Sequence, residues 1–440
     1  MSILNVNKIN PVGGGSTITI AGIASVTSSV TAPSFVGAVT GNVTGNVTGN
    51  VTGNADTASG LSSNASINTT GIVTATSFVP TVGQLSHRNI LVNGDMRIAQ
   101  RATTSTSSGI HSVDRFGVWY DNVDEAPTQE QYVMNSGDTG PWESGFRNAL
   151  KVTNGNQTSG AGADDYIWIQ QNLEAQDIAN SGWNYLSTSS FITLSFWVKS
   201  SVAQDFKCYL RSRDGTERQY PFSTGSLTAN TWTKIVKTIP GNSGLQFDND
   251  VNQGLQINIG CFFGTNLTAS GVTENAWGSW SSTARVPDMT STWYTTNDAA
   301  FRITGVQLEV GPVATPFEHR SFGDELRRCE RYYQKKLNYS NQPFGVGNID
   351  GATQGQLHVT LITSMRQKPT LETTGSAGDY GLRVRTTQTC TGVPTMPAYT
   401  ASTDSVFLEI PRASHGFTDG QACFCVAINS SSFLAFNAEL

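Results

Sequence analysis

The sequence carries little charge. Only 14% of its 440 residues are Asp, Glu, Lys or Arg, and they sum to −6. A basic stripe of the kind that follows a phosphate backbone is therefore missing, and nucleic acid is not expected as a partner. Long hydrophobic runs are missing as well. Nothing approaches the roughly 18 consecutive apolar residues of a membrane span, so no membrane insertion is expected. The opening MSILNVNKINPVGGG has no basic region followed by an apolar core, and no secretory signal peptide is expected. The six cysteines (Cys208, Cys261, Cys329, Cys390, Cys423, Cys425) are dispersed, with neither a C-x-x-C pair nor a His cluster. That pattern argues against a disulfide framework and against zinc. No G-x-S-x-G and no phosphate-binding glycine loop occurs, which leaves no positive sign of an enzyme. No cofactor is expected, apart from a weak case for calcium.

Residues 1–86 are the poorest part, with Lys8 and Asp56 the only charges and Phe35 and Phe78 the only aromatics. What this segment does have is repetition. Val39–Asn54 reads V-T-G-N four times. A period of four is even, so in an extended chain Val39, Val43, Val47 and Val51 share one face with the glycines, opposite Thr and Asn. The surrounding sequence offers nothing large to bury that narrow strip, whereas identical copies of the chain do. Val30–Val36 returns as Val73–Val79. Repeats of this kind point to a shaft made from several chains, against the alternative of a disordered polar linker.

The composition then changes. All nine tryptophans fall between Trp119 and Trp293. Phe191–Lys199 and Leu255–Phe263 alternate apolar and polar residues, with Phe263 placed on the same face as Leu255, Ile257, Ile259 and Cys261. In Phe301–Val310 the apolar parity switches at Gly305, where a β-bulge absorbs one residue. Such strands, with turns at Asp214-Gly215 and Pro240-Gly241, predict an antiparallel two-sheet sandwich. Ser321–Lys336 predicts the one good helix, with a Leu326/Cys329/Tyr333 stripe and end charges matching the macrodipole. Leu357–Leu361, Val406–Ile410 and Ala422–Ile428 predict a second, smaller β domain.

Four stretches resemble the tail-fibre proteins of bacteriophages, most closely those of marine and cyanobacterial phages. They are the MSILNVNKIN opening, the V-T-G-N repeats with Gly71–Phe78, the run Asn89–Arg101 with Val113–Phe116, and the block Ile303–Phe317 continuing through Arg327–Gln334. The resemblance implies a mainly β homotrimeric fibre. Its parts are a particle-attachment segment (1–30), an extended trimeric shaft (31–86), a jelly-roll carbohydrate-binding-like domain (87–320), a short helix (321–336) and a distal β domain (337–440). It also implies assembly in the host cytoplasm, location in the virion, and partnership with other phage tail or baseplate proteins through the N-terminus. The function implied is attachment to a host-surface glycan or protein receptor. A tailspike-type polysaccharide depolymerase, or a purely structural collar or decoration fibre, are the alternatives.

Sugar recognition needs flat aromatic faces beside polar groups. The candidates are Trp277 with Trp280, Trp119 with Tyr120, and Trp293 with Tyr294, each set against the plainer reading that tryptophans pack the sandwich. Trp197 is expected to face away from the apolar side of its strand. Asp164 with Asp165 and Asp248 with Asp250 are chiefly turn residues, with calcium ligation as the lesser reading.

Overall fold

Ile192, Leu194, Phe196 and Val198 occupy alternate positions of one strand, and all four are buried in a single core. The computed structural model that shows this describes residues 86–440, apart from 338–339, 377, 398–400, 413–415 and 431, together with residues 9, 11 and 13. Val39, Val43, Val47, Val51 and both copies of the longer repeat lie outside the described residues. The chain divides into Met1–Thr76 and Ser77–Leu440, and the elements below all belong to the second unit.

The protein is mainly β. In chain order the first elements are β1 (Thr104–Ser105), β2 (Gly117–Asp121), β3 (Thr128–Val133), β4 (Asn148–Thr153), β5 (Tyr166–Glu174) and the short helix α1 (Ala175–Ala179). They continue with β6 (Phe191–Ser200), β7 (Asp205–Ser212), β8 (Arg218–Ser226), β9 (Thr233–Pro240), β10 (Gln253–Phe263), β11 (Gly278–Ser279) and β12 (Ala300–Val310). Two six-stranded antiparallel sheets result, ordered β1-β3-β4-β12-β6-β9 and β11-β8-β7-β10-β5-β2. Eight of these strands pair as a ribbon rolled on itself. β7 and β8 form the tip, followed outward by β6 with β9, β5 with β10, and β4 with β12. Successive pairs fall in alternate sheets, which is the jelly-roll arrangement.

The bulge expected at Gly305 is present. The β12–β6 register slips between Thr304 and Gln307, and Gly305 has φ +62°. A Cβ there would come within 2.6 Å of the Phe146 ring, so glycine serves both the backbone and the packing. β10 holds an irregularity that the alternation did not reveal. Its register with β5 slips between Gly260 and Phe262, so Phe262 joins Cys261 in the main core and Phe263 turns to a second cluster with Tyr209 and Val286.

After β12 come α2 (Phe322–Glu330), β13 (Tyr333–Lys335), β14 (Pro343–Asp350), β15 (Gln354–Thr360), β16 (Thr370–Thr373), β17 (Tyr380–Val384), β18 (Thr387–Cys390), β19 (Ser405–Pro411), β20 (Ala422–Ala427) and β21 (Leu434–Asn437). The helix is shorter than the sequence stripe suggested. Ser321 caps it by accepting from the Asp324 amide, it ends at Glu330, and Tyr333 is on a strand paired with β21. These elements form a three-stranded and a six-stranded sheet around a separate core that includes Leu357, Leu408 and Cys425.

The motif at residues 89–101 has a structural job. The Asn89 side chain donates to Val306 O and accepts from Leu308 N, and the Gly94 carbonyl accepts from Val306 N. A Cβ on Gly94 would meet Val306 O at 2.0 Å, which requires glycine. The Asn93 amide donates to Glu325 of α2 at 2.5 Å. The two motif blocks, far apart in sequence, are thus one lock holding the chain's approach to the sandwich against β12 and α2.

A buried charged seam joins the two cores. Glu174 is fully buried, receives both Arg331 Nε and Nη2 at 2.6 and 2.7 Å, and accepts from the Tyr332 hydroxyl at 2.7 Å. Burial opposes ionisation of Glu174, but the hydrogen bonds from Arg331 and Tyr332 outweigh it and hold the carboxyl below its usual range. Arg115 lies over the Tyr332 ring at 3.5 Å and pairs with Glu439. Glu174→Ala leaves those donors stranded, and urea unfolding should show a loss of about 3–5 kcal/mol.

Asp114, also buried, behaves oppositely: burial raises its pKa from 3.8 to about 6. The folded state therefore binds this proton more tightly than the unfolded state does. The resulting stabilisation is complete below about pH 4 and is lost as pH rises through 6. Asp114→Asn should consequently cost about 3 kcal/mol more at pH 4 than at pH 7.5, read from paired urea titrations.

Candidate functional site

β2 alternates, and that alternation sets Trp119. Val118 is buried in the sandwich core and Tyr120 packs against it, so Trp119 stands on the outer face of the second sheet, opposite Trp168 in register. The indole lies close over two glycines. A Cβ on Gly117 would meet Trp119 Nε1 at 2.7 Å, and one on Gly109 would meet the far ring edge at 3.9 Å. Of the nine tryptophans only Trp119 counts as exposed, at 37%.

Trp119 forms part of the wall of a groove of about 420 Å³ between the sandwich and the C-terminal sheets. His111 lies beside it, and Tyr333, Glu372, Phe433 and Asn437 line the other side. Arg101 stacks over the Tyr333 ring at 3.6 Å and reaches Glu439 at 3.4 Å. Asn437 Nδ2 donates to Glu372 at 2.6 Å. Burial and the neighbouring Arg101 charge lower the His111 pKa, favouring the neutral ring. The Tyr333 hydroxyl is buried near the Glu372 carboxylate, and burial raises its pKa. The groove thus combines an exposed apolar ring with a guanidinium, an imidazole and an amide, over a floor in which Tyr333 is fully buried. Its volume suits a small polar ligand. Both carboxylates already accept from protein donors, Glu372 from Asn437 and Glu439 from Arg115 and Arg101.

The structure redistributes the other sequence candidates. Trp277 and Trp280 do not form one platform. Three positions apart around β11 they take opposite sides: Trp277 packs on the main core and donates to Pro240 O at 2.8 Å. Trp280 lies against Tyr209 with Arg211 stacked 3.7 Å over its ring. Trp293 and Tyr294 are interior residues, 0% and 1% exposed, and cannot meet a ligand. Tyr120 spends its hydroxyl on Thr106 O. Trp197 does leave the core side of its strand, but it packs in a satellite cluster with Phe146 and Trp232.

The aspartates bond within the protein, and Asp164 lies in a turn. Asp165 accepts from Gly162 N at 2.6 Å and from the Tyr294 hydroxyl at 2.9 Å, so a glycan candidate and a calcium candidate prove to be one internal pair. Asp164 accepts from Asn266, Asp248 from Gln246 and Asp250 from Asn252. Among the described residues no group of three His, Cys, Asp or Glu side chains is placed to hold a metal ion.

Arg101, His111, Tyr333, Glu372 and Asn437 were not site candidates from sequence, where Tyr333 entered only in the helix stripe and Arg101 only in a motif run. They come from distant segments and share no spacing, so only the tertiary fold brings them together.

No protein-family model matches the chain, and no curated protein matches it. Among solved structures it is similar to the N-terminal cellulose-binding domain of Cellulomonas fimi β-1,4-glucanase C, at 8% identity over 50% of this chain and 99% of that one, with TM-score 0.24. A family 11 carbohydrate-binding module from Clostridium thermocellum matches at 14% identity over 48% and 96%, with TM-score 0.21. The enzymatically active domain of tailspike protein 4 from bacteriophage CBA120 matches at 11% identity, over 50% of this chain but 21% of that one, with TM-score 0.26.

The two kinds of tryptophan should separate in stability. Trp293→Ala empties a buried site and should cost about 3–5 kcal/mol, whereas Trp119→Ala should cost about 1 kcal/mol or less. Thermal melts of both variants make the comparison.

Proposed function

We propose that this chain is a bacteriophage tail-fibre adhesin whose globular part binds a host-surface glycan in the Trp119 groove. The observation that carries the binding reading is the exposed Trp119 ring beside the polar groove. A pyranose presents C–H groups on its faces and hydroxyls on its rim, and this pairing of flat ring and hydrogen-bonding wall suits both. In this reading the groove holds sugar and breaks no bond. No metal is required. The assignment to a phage fibre rests on the motif blocks at 89–116 and 303–336 and on the V-T-G-N repeats. In this reading the repeats join three copies, the N-terminus contacts other tail or baseplate proteins, and the chain resides in the virion. Several weak sites on one particle then act together, which supplies avidity.

The test is binding of the full-length protein to a panel of host-envelope polysaccharides by calorimetry, with and without EDTA. Trp119→Ala should weaken binding at least tenfold, about 1.4 kcal/mol, and EDTA should leave it unchanged. Equal affinity in parent and variant overturns the groove assignment. New reducing ends in the mixture would instead point to a depolymerase. Light scattering should give three times the 47.0 kDa chain mass.

A further inference from the structure

A second cavity, of about 290 Å³, lies where residues 87–92, α1, the end of β12 and the end of α2 meet, and it shares no residue with the Trp119 groove. Its charged lining is Arg88, Asp177, Arg328 and Arg331, with His87 beside them. Arg331 is matched by Glu174. The other three charges are not matched. Arg88 gives Nη1 and Nη2 to Thr315 Oγ1 and Pro316 O at 2.6 and 3.1 Å, both neutral acceptors. Arg328 has Nη2 3.4 Å from His87 Nδ1. Asp324, one turn earlier on α2, accepts from the Ser321 hydroxyl at 2.6 Å and forms no ion pair with Arg328. The Asp177 carboxylate, on α1, receives no hydrogen bond and forms no ion pair among the described residues. Desolvation and the Glu174 charge raise its pKa from 3.8 to about 6, as a carboxylate without a counter-ion requires.

Different elements thus bring charges of both signs to one small space, and the fold keeps them from meeting. A ligand that carries both signs satisfies all of them. Two guanidinium groups stand against one carboxylate, so the unmatched lining has a surplus of positive charge. A phosphomonoester carries about −1.5 to −2 near neutral pH. Joined to an ammonium, it keeps a surplus of negative charge that complements the lining. Guanidinium groups also fit phosphate well, through the planar fork of N–H donors. We propose that this cavity binds a small phosphomonoester that also carries an ammonium group, with the phosphate held by Arg88 and Arg328 and the ammonium by Asp177. Neither half is enough alone. A bare anion meets the Asp177 charge, and a bare amine meets two arginines. The site stands on its own geometry and does not depend on the fibre reading or on glycan binding.

The experiment titrates the full-length protein with O-phosphoethanolamine near neutral pH by calorimetry, beside ethanolamine and inorganic phosphate. O-phosphoethanolamine should bind at least tenfold more tightly than either half. Asp177→Asn should weaken O-phosphoethanolamine at least tenfold and leave inorganic phosphate no weaker. Arg328→Gln should weaken both. Neither substitution breaks an ion pair, and thermal melts matching the parent show that both variants are folded. Three results overturn the proposal. The first is no binding of O-phosphoethanolamine at millimolar concentration. The second is binding no tighter than that of phosphate, which makes this a plain anion site. The third is an affinity that neither Asp177→Asn nor Arg328→Gln changes, which places the ligand elsewhere.

Discussion

Charge buried between two cores is the constraint on which the rest of this molecule depends. Glu174 at the end of β5 carries no exposed surface, and its partners Arg331 and Tyr332 lie just beyond α2. Arg115 and Glu439 extend the seam, and Arg366 spans it by donating to Ala438 O, Glu439 O and Val251 O. Removing ions from water costs several kcal/mol each unless pairing is complete. The strands that end at this seam, the helix and the final residues of the chain must therefore all be in place together. A jelly roll and a small mixed-size pair of sheets could each bury a core alone. The seam makes them one body.

That coupling also creates the candidate site. The groove lies at the join, with Trp119 and His111 from the sandwich side and Tyr333, Glu372 and Asn437 from the other. Arg101 and Glu439 belong to both the groove and the charged network, so the same contacts that fasten the two cores shape the ligand wall. Gly117 and Gly109 let the indole of Trp119 lie close against the backbone.

The motif blocks acquire a different meaning once the structure is seen. Asn89, Asn93 and Gly94 bind backbone of β12, the turn at Ile98 and the carboxylate of Glu325. They are a mechanical lock at the foot of the sandwich, while Arg101 and Tyr333 of the same blocks line the groove.

The sequence by itself determined the mainly β class, the alternating strands that bury Ile192 to Val198, and the bulge at Gly305. All are readable because side-chain alternation and a glycine at a parity switch are local consequences of backbone geometry. It could not determine that α2 stops at Glu330, since Tyr333 continues the helical spacing and only pairing with β21 draws it into a strand. Nor could it decide which tryptophans face water. Trp293 and Trp119 are each followed by a tyrosine along the chain, and the packing of distant strands buries one and bares the other. Exposure and the meeting of remote side chains are properties of the closed fold, and the functional site is made of both.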